Sequence, residues 1–236
     1  MHISIVIPAY NEAQRILNTL NQLEEYRSKS QHIFEIIVVD DGSQDGTADI
    51  VRQQQYAHVR VIQQPRNAGK FAAFKTGVQQ AQLDWILLYD ADGATPIAMI
   101  EQFEPLTKQY DCLIGSRRAD QANITVPQPF FRTVLGRLSY YTIRLLTGIR
   151  FKDTQCGFKL CRTTIAKRAV DKMITNRFAG DVEFLYLTIL YGARTKEVPV
   201  EWHDMPNSKV KFKDYFHSLQ DILKIRRAIK RGQYRT

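Results

Sequence analysis

Short runs of apolar, mostly β-branched residues alternate along the first half of the chain with longer segments in which apolar residues recur every three or four positions. The short runs are typical of buried strands, and the longer periodic segments are typical of helices that bury one face. The pattern predicts strands over residues 3–7, 34–39, 59–62, 85–89 and 112–114. It predicts helices over residues 13–26, 47–55, 69–82 and 96–108.

Strands that alternate with helices favour right-handed β-α-β units and a mostly parallel sheet flanked by helices, which is an α/β fold. Ligands of such sheets bind beyond the carboxyl ends of the strands. Three of the predicted strands end in polar or acidic residues, namely Tyr10-Asn11-Glu12, Asp40-Asp41 and Asp90-Ala91-Asp92. We therefore expect the functional site at these strand ends.

The second half of the chain is less regular. The pattern predicts helices over residues 130–146 and 181–190 and strands over residues 157–160 and 195–200, and Pro199 indicates a sheet edge. From residue 212 onward, six apolar residues fall on one helical face: Tyr215, Phe216, Leu219, Ile222, Leu223 and Ile229. Cys112, Cys156 and Cys161 are too few for a disulfide scaffold, and we expect buried reduced thiols.

The net charge of +9 is concentrated in two segments. Residues 116–150 contain six Arg and one Asp, a net +5, and residues 209–236 contain nine Lys or Arg and two Asp, a net +7. This clustering indicates an anionic partner at one surface, such as a phosphate, a lipid headgroup or a nucleic acid. No apolar run in the sequence approaches the ~20 residues of a membrane-spanning helix, so we expect a chain that does not span a bilayer.

The acidic strand ends have two interpretations each. Asp90 and Asp92 share a predicted turn, where two carboxylates repel each other unless a cation lies between them, and such pairs bind Mg²⁺ or Mn²⁺ together with substrate phosphates. The alternative is a solvated turn before a helix. Asp40 and Asp41 offer acceptors for a ribose or a base, or form an ordinary turn. Lys70, at the start of a predicted helix, could meet a diphosphate, although its segment lacks the spacing of a P-loop.

Three motifs at successive strand ends make the chain resemble glycosyltransferase family 2, whose fold is GT-A. They are IVIPAYNE at residues 5–12, VVDDGS at 38–43 and DAD at 90–92. Residues 90–95 (DADGAT), 115–117 (GSR) and 153–159 (DTQCGFK) resemble a narrower branch, the dolichyl-phosphate β-glucosyltransferases, which are related to dolichol-phosphate mannose synthases. We expect a GT-A domain over residues 1–208 and a basic amphipathic segment over residues 209–236.

The resemblance implies roles for the strand-end residues. The nucleotide-sugar donor would be bound by Pro8, Tyr10, Glu12, Asp40, Asp41, Lys70 and Asp90. Asp90 and Asp92 would hold Mg²⁺ or Mn²⁺ against the donor diphosphate. Ala94 stands where the mannose synthases have a glutamine, so the resemblance supplies no third side-chain ligand.

The resemblance also implies a polyprenyl phosphate acceptor, dolichyl or undecaprenyl, and inversion at C1. A phosphate monoester is anionic at neutral pH, so it attacks without the general base that a hydroxyl needs, but cations must hold it. Arg117, Arg132 and Lys209 are the candidates. Asp181 could be a general base, but we expect it to orient neighbouring groups or the donor sugar. The predicted catalytic residues are thus Asp92, Arg117, Arg132 and Asp181.

The predicted C-terminal helix combines an apolar stripe with flanking Lys and Arg residues. Such a helix lies in the headgroup region of an anionic membrane, or it packs on the domain with its basic residues solvated. We favour membrane contact because a lipid acceptor requires it. The expected location is therefore cytoplasmic, peripheral on the cytoplasmic face of the membrane.

The expected reaction is transfer of glucose from UDP-glucose to the lipid phosphate. GDP-mannose is the second candidate donor, and a hydroxyl is the alternative acceptor. A nucleic-acid-binding module is disfavoured because the sequence has no such motif and its acidic strand ends repel a phosphate backbone, so we expect no nucleic acid partner. A degenerate, purely structural transferase is disfavoured by the intact Asp90 and Asp92.

Overall fold

The structure is a computed structural model that describes residues 1–119, 123–124, 130–203 and 212–235, with the backbone alone at 123–124, 130–138 and 212–215. The strands are β1 His2–Ala9, β2 Ile33–Asp40, β3 Val59–Gln63, β4 Trp85–Tyr89, β5 Cys112–Ser116, β6 Asn123–Ile124, β7 Phe158–Arg162, β8 Thr195–Pro199 and β9 Glu201–Trp202. The helices are α1 Ile16–Lys29, α2 Thr47–Gln53, α3 Lys70–Gln80, α4 Ile100–Phe103, α5 Phe130–Thr147, α6 Thr163–Lys172, α7 Gly180–Leu190 and α8 Phe212–Lys230.

A seven-stranded sheet organises the described residues in the order β3-β2-β1-β4-β7-β5-β8. β1 pairs in parallel with β2 and β4, β2 with β3, and β5 with β8. β7 is antiparallel to both of its neighbours, β4 and β5. The carboxyl ends of β1, β2, β4 and β5 therefore meet the amino end of β7 at one edge of the sheet, which we call the carboxyl edge.

Each face of the sheet carries its own apolar core, because successive strand residues point to opposite faces. Ile5 of β1 packs in the core covered by α1, α2 and α4. Its neighbour Val6 packs in the core covered by α3, α6 and α7. Ile222 and Ile225 of α8 join this second core. Packing in these two cores fixes the positions of the helices that begin at the carboxyl edge.

The predicted α/β architecture is confirmed, and β4 has the predicted bounds. β8 forms an edge of the sheet, as Pro199 indicated. The predicted continuous helix over residues 96–108 is wrong, since 3₁₀ turns at Ile97–Met99 and Glu104–Lys108 flank the four-residue α4. Pro105 explains the second break, because proline has no N–H for an α-helical hydrogen bond. α6 was not predicted, because its buried residues are small and few.

Cys112 and Cys161 form a disulfide, so the expectation of reduced thiols is wrong for this pair. They lie directly opposite each other on β5 and β7, with their Cα atoms 4.1 Å apart. This pairing could not be predicted from the sequence, because it depends on β7 inserting between β4 and β5. Cys156 is a buried free thiol, as expected.

The apolar stripe of α8 is partly buried and partly exposed to solvent. Ile222 is buried against the domain, whereas Phe216, Leu219 and Leu223 are exposed. Within the described ranges, no helix is both long and apolar enough to cross a bilayer.

Candidate active site

Two carboxylates project from the turn that follows β4 at the carboxyl edge. The N–H of Gly93 donates to the carbonyl of Asp90 over 3.1 Å, and the N–H of Ala94 donates to Oδ1 of Asp92 over 3.1 Å. Burial, and then the neighbouring charge of Asp90, raise the pKa of Asp92 above its ordinary value. The turn therefore concentrates negative charge that a cation would neutralise.

Lys70, the first residue of α3, supplies a positive charge to this turn. Its Nζ lies 2.6 Å from Oδ1 of Asp90. Burial alone would lower the pKa of Lys70, but Asp90, Asp181 and Asp92 outweigh it and raise the pKa above its ordinary value. Burial alone would raise the pKa of Asp90, but Lys70 and more distant cations hold that pKa below its usual range.

Asp41 holds the segment before Lys70, and the carbonyl of Asn176 accepts the N–H groups of the two residues that follow Lys70. The two carboxylate oxygens of Asp41 accept the N–H groups of Ala68 and Gly69, each over 2.8 Å. Gly69 has φ +111°, and a β-carbon there would lie 2.4 Å from the carbonyl oxygen of Asn176. Asp41, predicted to bind the donor, is thus placed as the support of the segment that carries Lys70.

Asp40, at the end of β2, keeps one acceptor open. Oδ1 accepts the N–H of Ser43 over 3.0 Å and also the Ser43 hydroxyl. Oδ2 is buried and finds no hydrogen-bond partner among the described residues. An unsatisfied buried acceptor costs about 1–3 kcal/mol, so Oδ2 is a candidate contact for a ligand hydroxyl or base.

The loop after β1 is joined to the loop after β2. The N–H of Asn11 donates to Oγ of Ser43 over 2.8 Å. The carboxylate of Glu12 accepts two hydrogen bonds from Arg15, over 2.8 and 2.9 Å. Tyr10 is exposed beside this loop, and Pro8 is half-buried. The predicted nucleotide-binding residues thus lie at one edge, but Glu12 is already engaged with Arg15.

A fully buried ion pair lies at the start of α7. Nζ of Lys159, on β7, donates to Oδ1 of Asp181 and to the carbonyl of Cys156, the latter over 2.6 Å. Asp181 therefore holds a cation in the core, which agrees with the predicted orienting role better than with a general base. The importance of Lys159 was missed, although it ends the 153–159 motif.

Arg117 follows β5 and makes a two-point ion pair with buried Asp153. Nε donates to Oδ2 over 2.7 Å, and Nη2 donates to Oδ1 over 3.0 Å. Burial would raise the pKa of Asp153, but Arg117 outweighs it and lowers the pKa to about 2. The Arg117 guanidinium also lies over the ring of Trp202, 5.4 Å from its centroid. The side chains of Arg132 and Lys209 lie outside the described residues.

One cavity at the carboxyl edge brings the acidic turn and Arg117 together. It is lined by Tyr89, Asp90, Ala94, Thr95, Arg117, Gly157 and Trp202. Among the described residues, no group of three or more His, Cys, Asp or Glu side chains is placed to hold a metal ion by itself. A metal at the Asp90–Asp92 turn would thus share its coordination with a ligand.

Comparison with known proteins finds a family model and relatives that match this sequence. The model described as glycosyl transferase family 2 matches residues 4–170. The dolichyl-phosphate beta-glucosyltransferase of Homo sapiens is 32% identical over 250 residues, which cover 99% of this chain and 77% of the human protein. The dolichyl-phosphate beta-glucosyltransferase of Saccharomyces cerevisiae is 32% identical over 257 residues, which cover 99% of this chain and 76% of the yeast protein.

Crystal structures share the fold at low sequence identity. Mannosyl-3-phosphoglycerate synthase from Rubrobacter xylanophilus has a TM-score of 0.69 and 16% identity, covering 99% of this chain and 75% of that one. Glucosyl-3-phosphoglycerate synthase from Mycobacterium tuberculosis, in complex with Mn²⁺, UDP and phosphoglyceric acid, has a TM-score of 0.71 and 14% identity, covering 94% and 76%. These likenesses confirm the predicted GT-A type of α/β fold.

Proposed function

Because the chain belongs to glycosyl transferase family 2, we propose that it transfers glucose from UDP-glucose to the phosphate of a polyprenyl lipid, dolichyl or undecaprenyl, with inversion at C1. Relatives named dolichyl-phosphate beta-glucosyltransferase align with nearly the whole chain and are identical to it at about a third of the aligned positions. This similarity supports the proposed pair of substrates. The observation that carries the proposal is the cavity that Asp90 and Arg117 line together, with a candidate metal ligand and a candidate phosphate-binding guanidinium facing one space.

The donor binds at the ends of β1, β2 and β4 in this proposal. Asp40 meets the base or ribose through its unsatisfied Oδ2, Tyr10 and Pro8 line the nucleotide pocket, and Lys70 meets the diphosphate. Glu12 shapes this pocket through its pairing with Arg15.

Asp90 and Asp92 are the residues that would hold Mg²⁺ or Mn²⁺. Carboxylate oxygens suit these hard cations, and the raised pKa of Asp92, caused by burial and by the charge of Asp90, fits a site that a cation completes. A bound Mg²⁺ or Mn²⁺ supplies positive charge to the departing diphosphate. The M. tuberculosis synthase, whose fold is similar, has a crystal structure in complex with Mn²⁺ and UDP, and this supports a divalent metal in the present protein.

The acceptor is held by Arg117, with Arg132 and Lys209 as its partners. An oxygen of the lipid phosphate attacks C1 of the sugar, the bond from C1 to the donor diphosphate breaks, and UDP leaves with the bonding electrons. The phosphate is already anionic, so no protein group needs to take a proton from it. The engagement of Asp181 with Lys159 supports a reaction without a base at that position.

Two adjoining helices offer a surface for the membrane that carries such a lipid. Five apolar residues of α5 and α8 are exposed, and we call them together the α5–α8 face: Tyr141, Leu145, Phe216, Leu219 and Leu223. Nη1 of Arg226 donates to the carbonyls of Leu145 and Leu146 over 3.1 and 3.3 Å, which joins the two helices. The basic side chains of Arg144, Lys224, Arg227 and Lys230 are exposed on the same two helices. An apolar surface with basic flanks favours anionic headgroups, which supports peripheral contact at the cytoplasmic leaflet.

A transfer assay tests the proposal. Purified protein is incubated with MnCl₂, a short polyprenyl phosphate, and either UDP-glucose or GDP-mannose, and the lipid products are identified by mass spectrometry. We expect glucosyl-phosphoryl-polyprenol from UDP-glucose alone, with the β configuration. Transfer from GDP-mannose alone would show that GDP-mannose is the donor instead of UDP-glucose. Transfer to a free sugar but not to the lipid would contradict the proposed acceptor.

A further inference from the structure

The ammonium of Lys70 forms an ion pair with the carboxylate of Asp90, which the proposed function assigns to the metal. Its Nζ is 2.6 Å from Oδ1 of Asp90, and the charges of Asp92 and Asp181 act on it as well. A divalent cation at Asp90 would face a positive charge at contact distance, and repulsion between like charges this close is strong in a partly buried site. Lys70 and a metal ion therefore compete for Asp90.

The backbone around Lys70 is fixed, so only its side chain can move away. The N–H groups of Ala68 and Gly69 are bound by Asp41, and the N–H groups of Phe71 and Ala72 donate to the carbonyl of Asn176 over 2.8 and 3.2 Å. These four amides are engaged, and the ammonium of Lys70, carried on a flexible four-carbon stem, is the charged group that this helix start offers to a phosphate.

We propose that Lys70 is an exchanging counter-ion, which neutralises Asp90 when no metal is bound and moves to the donor diphosphate when a divalent cation takes its place. The inference deepens the proposed function and rests on it for the nature of the donor. A metal that binds alone must displace Lys70 from its partner without offering it another. A diphosphate that binds with the metal gives the ammonium a new anionic partner, so Lys70 makes metal and donor bind cooperatively.

Cooperativity of this kind is reciprocal and can be measured without any transfer of sugar. Mn²⁺ binding is titrated by electron paramagnetic resonance of the free ion, with and without UDP, for the wild type and for Lys70→Met. The wild type is expected to bind Mn²⁺ weakly alone and about tenfold more tightly with UDP, within the usual range of coupling between two sites. Lys70→Met is expected to bind Mn²⁺ alone about tenfold more tightly than the wild type. UDP should strengthen Mn²⁺ binding less in Lys70→Met than in the wild type, because the diphosphate still supplies ligands to the metal but no longer relieves the competition with Lys70.

Two further variants keep the experiment decisive. Lys70→Gln removes the same charge and serves if the methionine variant fails to fold, as judged by circular dichroism. Lys29→Met removes a lysine that is 2.6 Å from Glu25 at the end of α1, remote from the carboxyl edge, and it should leave both Mn²⁺ affinities unchanged. If neither Lys70 variant binds Mn²⁺ alone more tightly than the wild type, or if UDP strengthens Mn²⁺ binding equally in all, the exchange is overturned. The titration uses neither sugar nor lipid, so a failed transfer assay would count against the proposed function only.

Discussion

Gly157 lies against the carboxylate of Asp90 so closely that a β-carbon at position 157 would be 1.9 Å from Oδ2. The contact exists because β7 runs antiparallel to β4, which brings the residue before β7 to the carboxyl edge where β4 ends. Glycine at this position therefore lets the backbone support the side chain that the proposed function assigns to metal and donor.

Replacing Gly157 by Ala should displace the Asp90 carboxylate, because no side chain fits in the space between them. A displacement of about 1 Å at a reacting centre costs about a hundredfold in rate, and we expect at least that loss in the transfer assay. Gly192→Ala is the matched control, since Gly192 has φ +85° with nothing near its β-carbon, at the turn between α7 and β8. The control should lower stability while keeping the turnover of the folded protein. Equal turnover of Gly157→Ala and the wild type would contradict the role of this contact.

The central strands could be predicted from the sequence, and the direction of β7 could not. Val38 and Leu87 lie in apolar runs that are buried on both faces, and this pattern is readable without a structure. A five-residue strand such as β7 carries no sign of its direction, which depends on how the chain returns to the sheet after α5.

The same limit applies to the site. Asp90, Asp92 and Lys70 follow or begin predicted elements, so their placement at one edge could be predicted. The pairs Arg117–Asp153 and Lys159–Asp181 join residues 36 and 22 positions apart, and both depend on β7 and its preceding loop. Side chains whose partners come from separate elements carry no local pattern, so the sequence identified Arg117 and Asp181 but not their partners Asp153 and Lys159.

Removing one carboxylate from the turn after β4 should abolish transfer. A metal ion contributes several kcal/mol to a reaction that develops charge on a leaving group, so we expect Asp92→Ala to lower the rate by about a thousandfold or more. Treatment of the wild type with EDTA should have the same effect, and added Mn²⁺ should restore only the wild type. Asp84→Ala, at an exposed residue next to the amino end of β4, should leave the rate unchanged. Transfer by Asp92→Ala at a rate near that of the wild type would exclude the proposed metal site.

Replacing one partner of the buried ion pair between Lys159 and Asp181 should strongly lower the stability of the protein. Lys159→Met leaves a carboxylate without its cation in the core, and Asp181→Asn leaves an ammonium, so each should lower the free energy of unfolding by about 3–5 kcal/mol. The double variant removes both charges and should lose clearly less than the two single losses combined. Urea unfolding of the four proteins measures this coupling, and strictly additive losses would show that the pair does not act as a unit.

The ion pair of Asp153 with Arg117 predicts how stability depends on pH. The pKa of Asp153 is lowered to about 2, against its ordinary value of 3.8, so the unfolded chain binds a proton at this group more readily than the folded protein does. Stability from this group is therefore complete above pH ~5, is lost as the pH falls towards ~2, and amounts to about 2–3 kcal/mol. Urea unfolding at several pH values should show that the deficit of Asp153→Asn is constant from neutral pH to pH ~5 and shrinks at lower pH. A deficit that stays undiminished at pH ~3 would contradict this assignment.

The α5–α8 face should bind anionic membranes through its apolar residues. Burying a large apolar side chain contributes about 1.5–3 kcal/mol, so Leu145→Ser combined with Phe216→Ser should weaken binding at least tenfold. Co-sedimentation with phosphatidylglycerol vesicles measures this loss, and phosphatidylcholine vesicles should bind the wild type more weakly because they lack the charge that attracts the exposed Lys and Arg. Ile189→Ser, at a residue of α7 that is 42% exposed, is the control and should bind like the wild type. If the double serine variant binds as tightly as the control, membrane contact does not use this face.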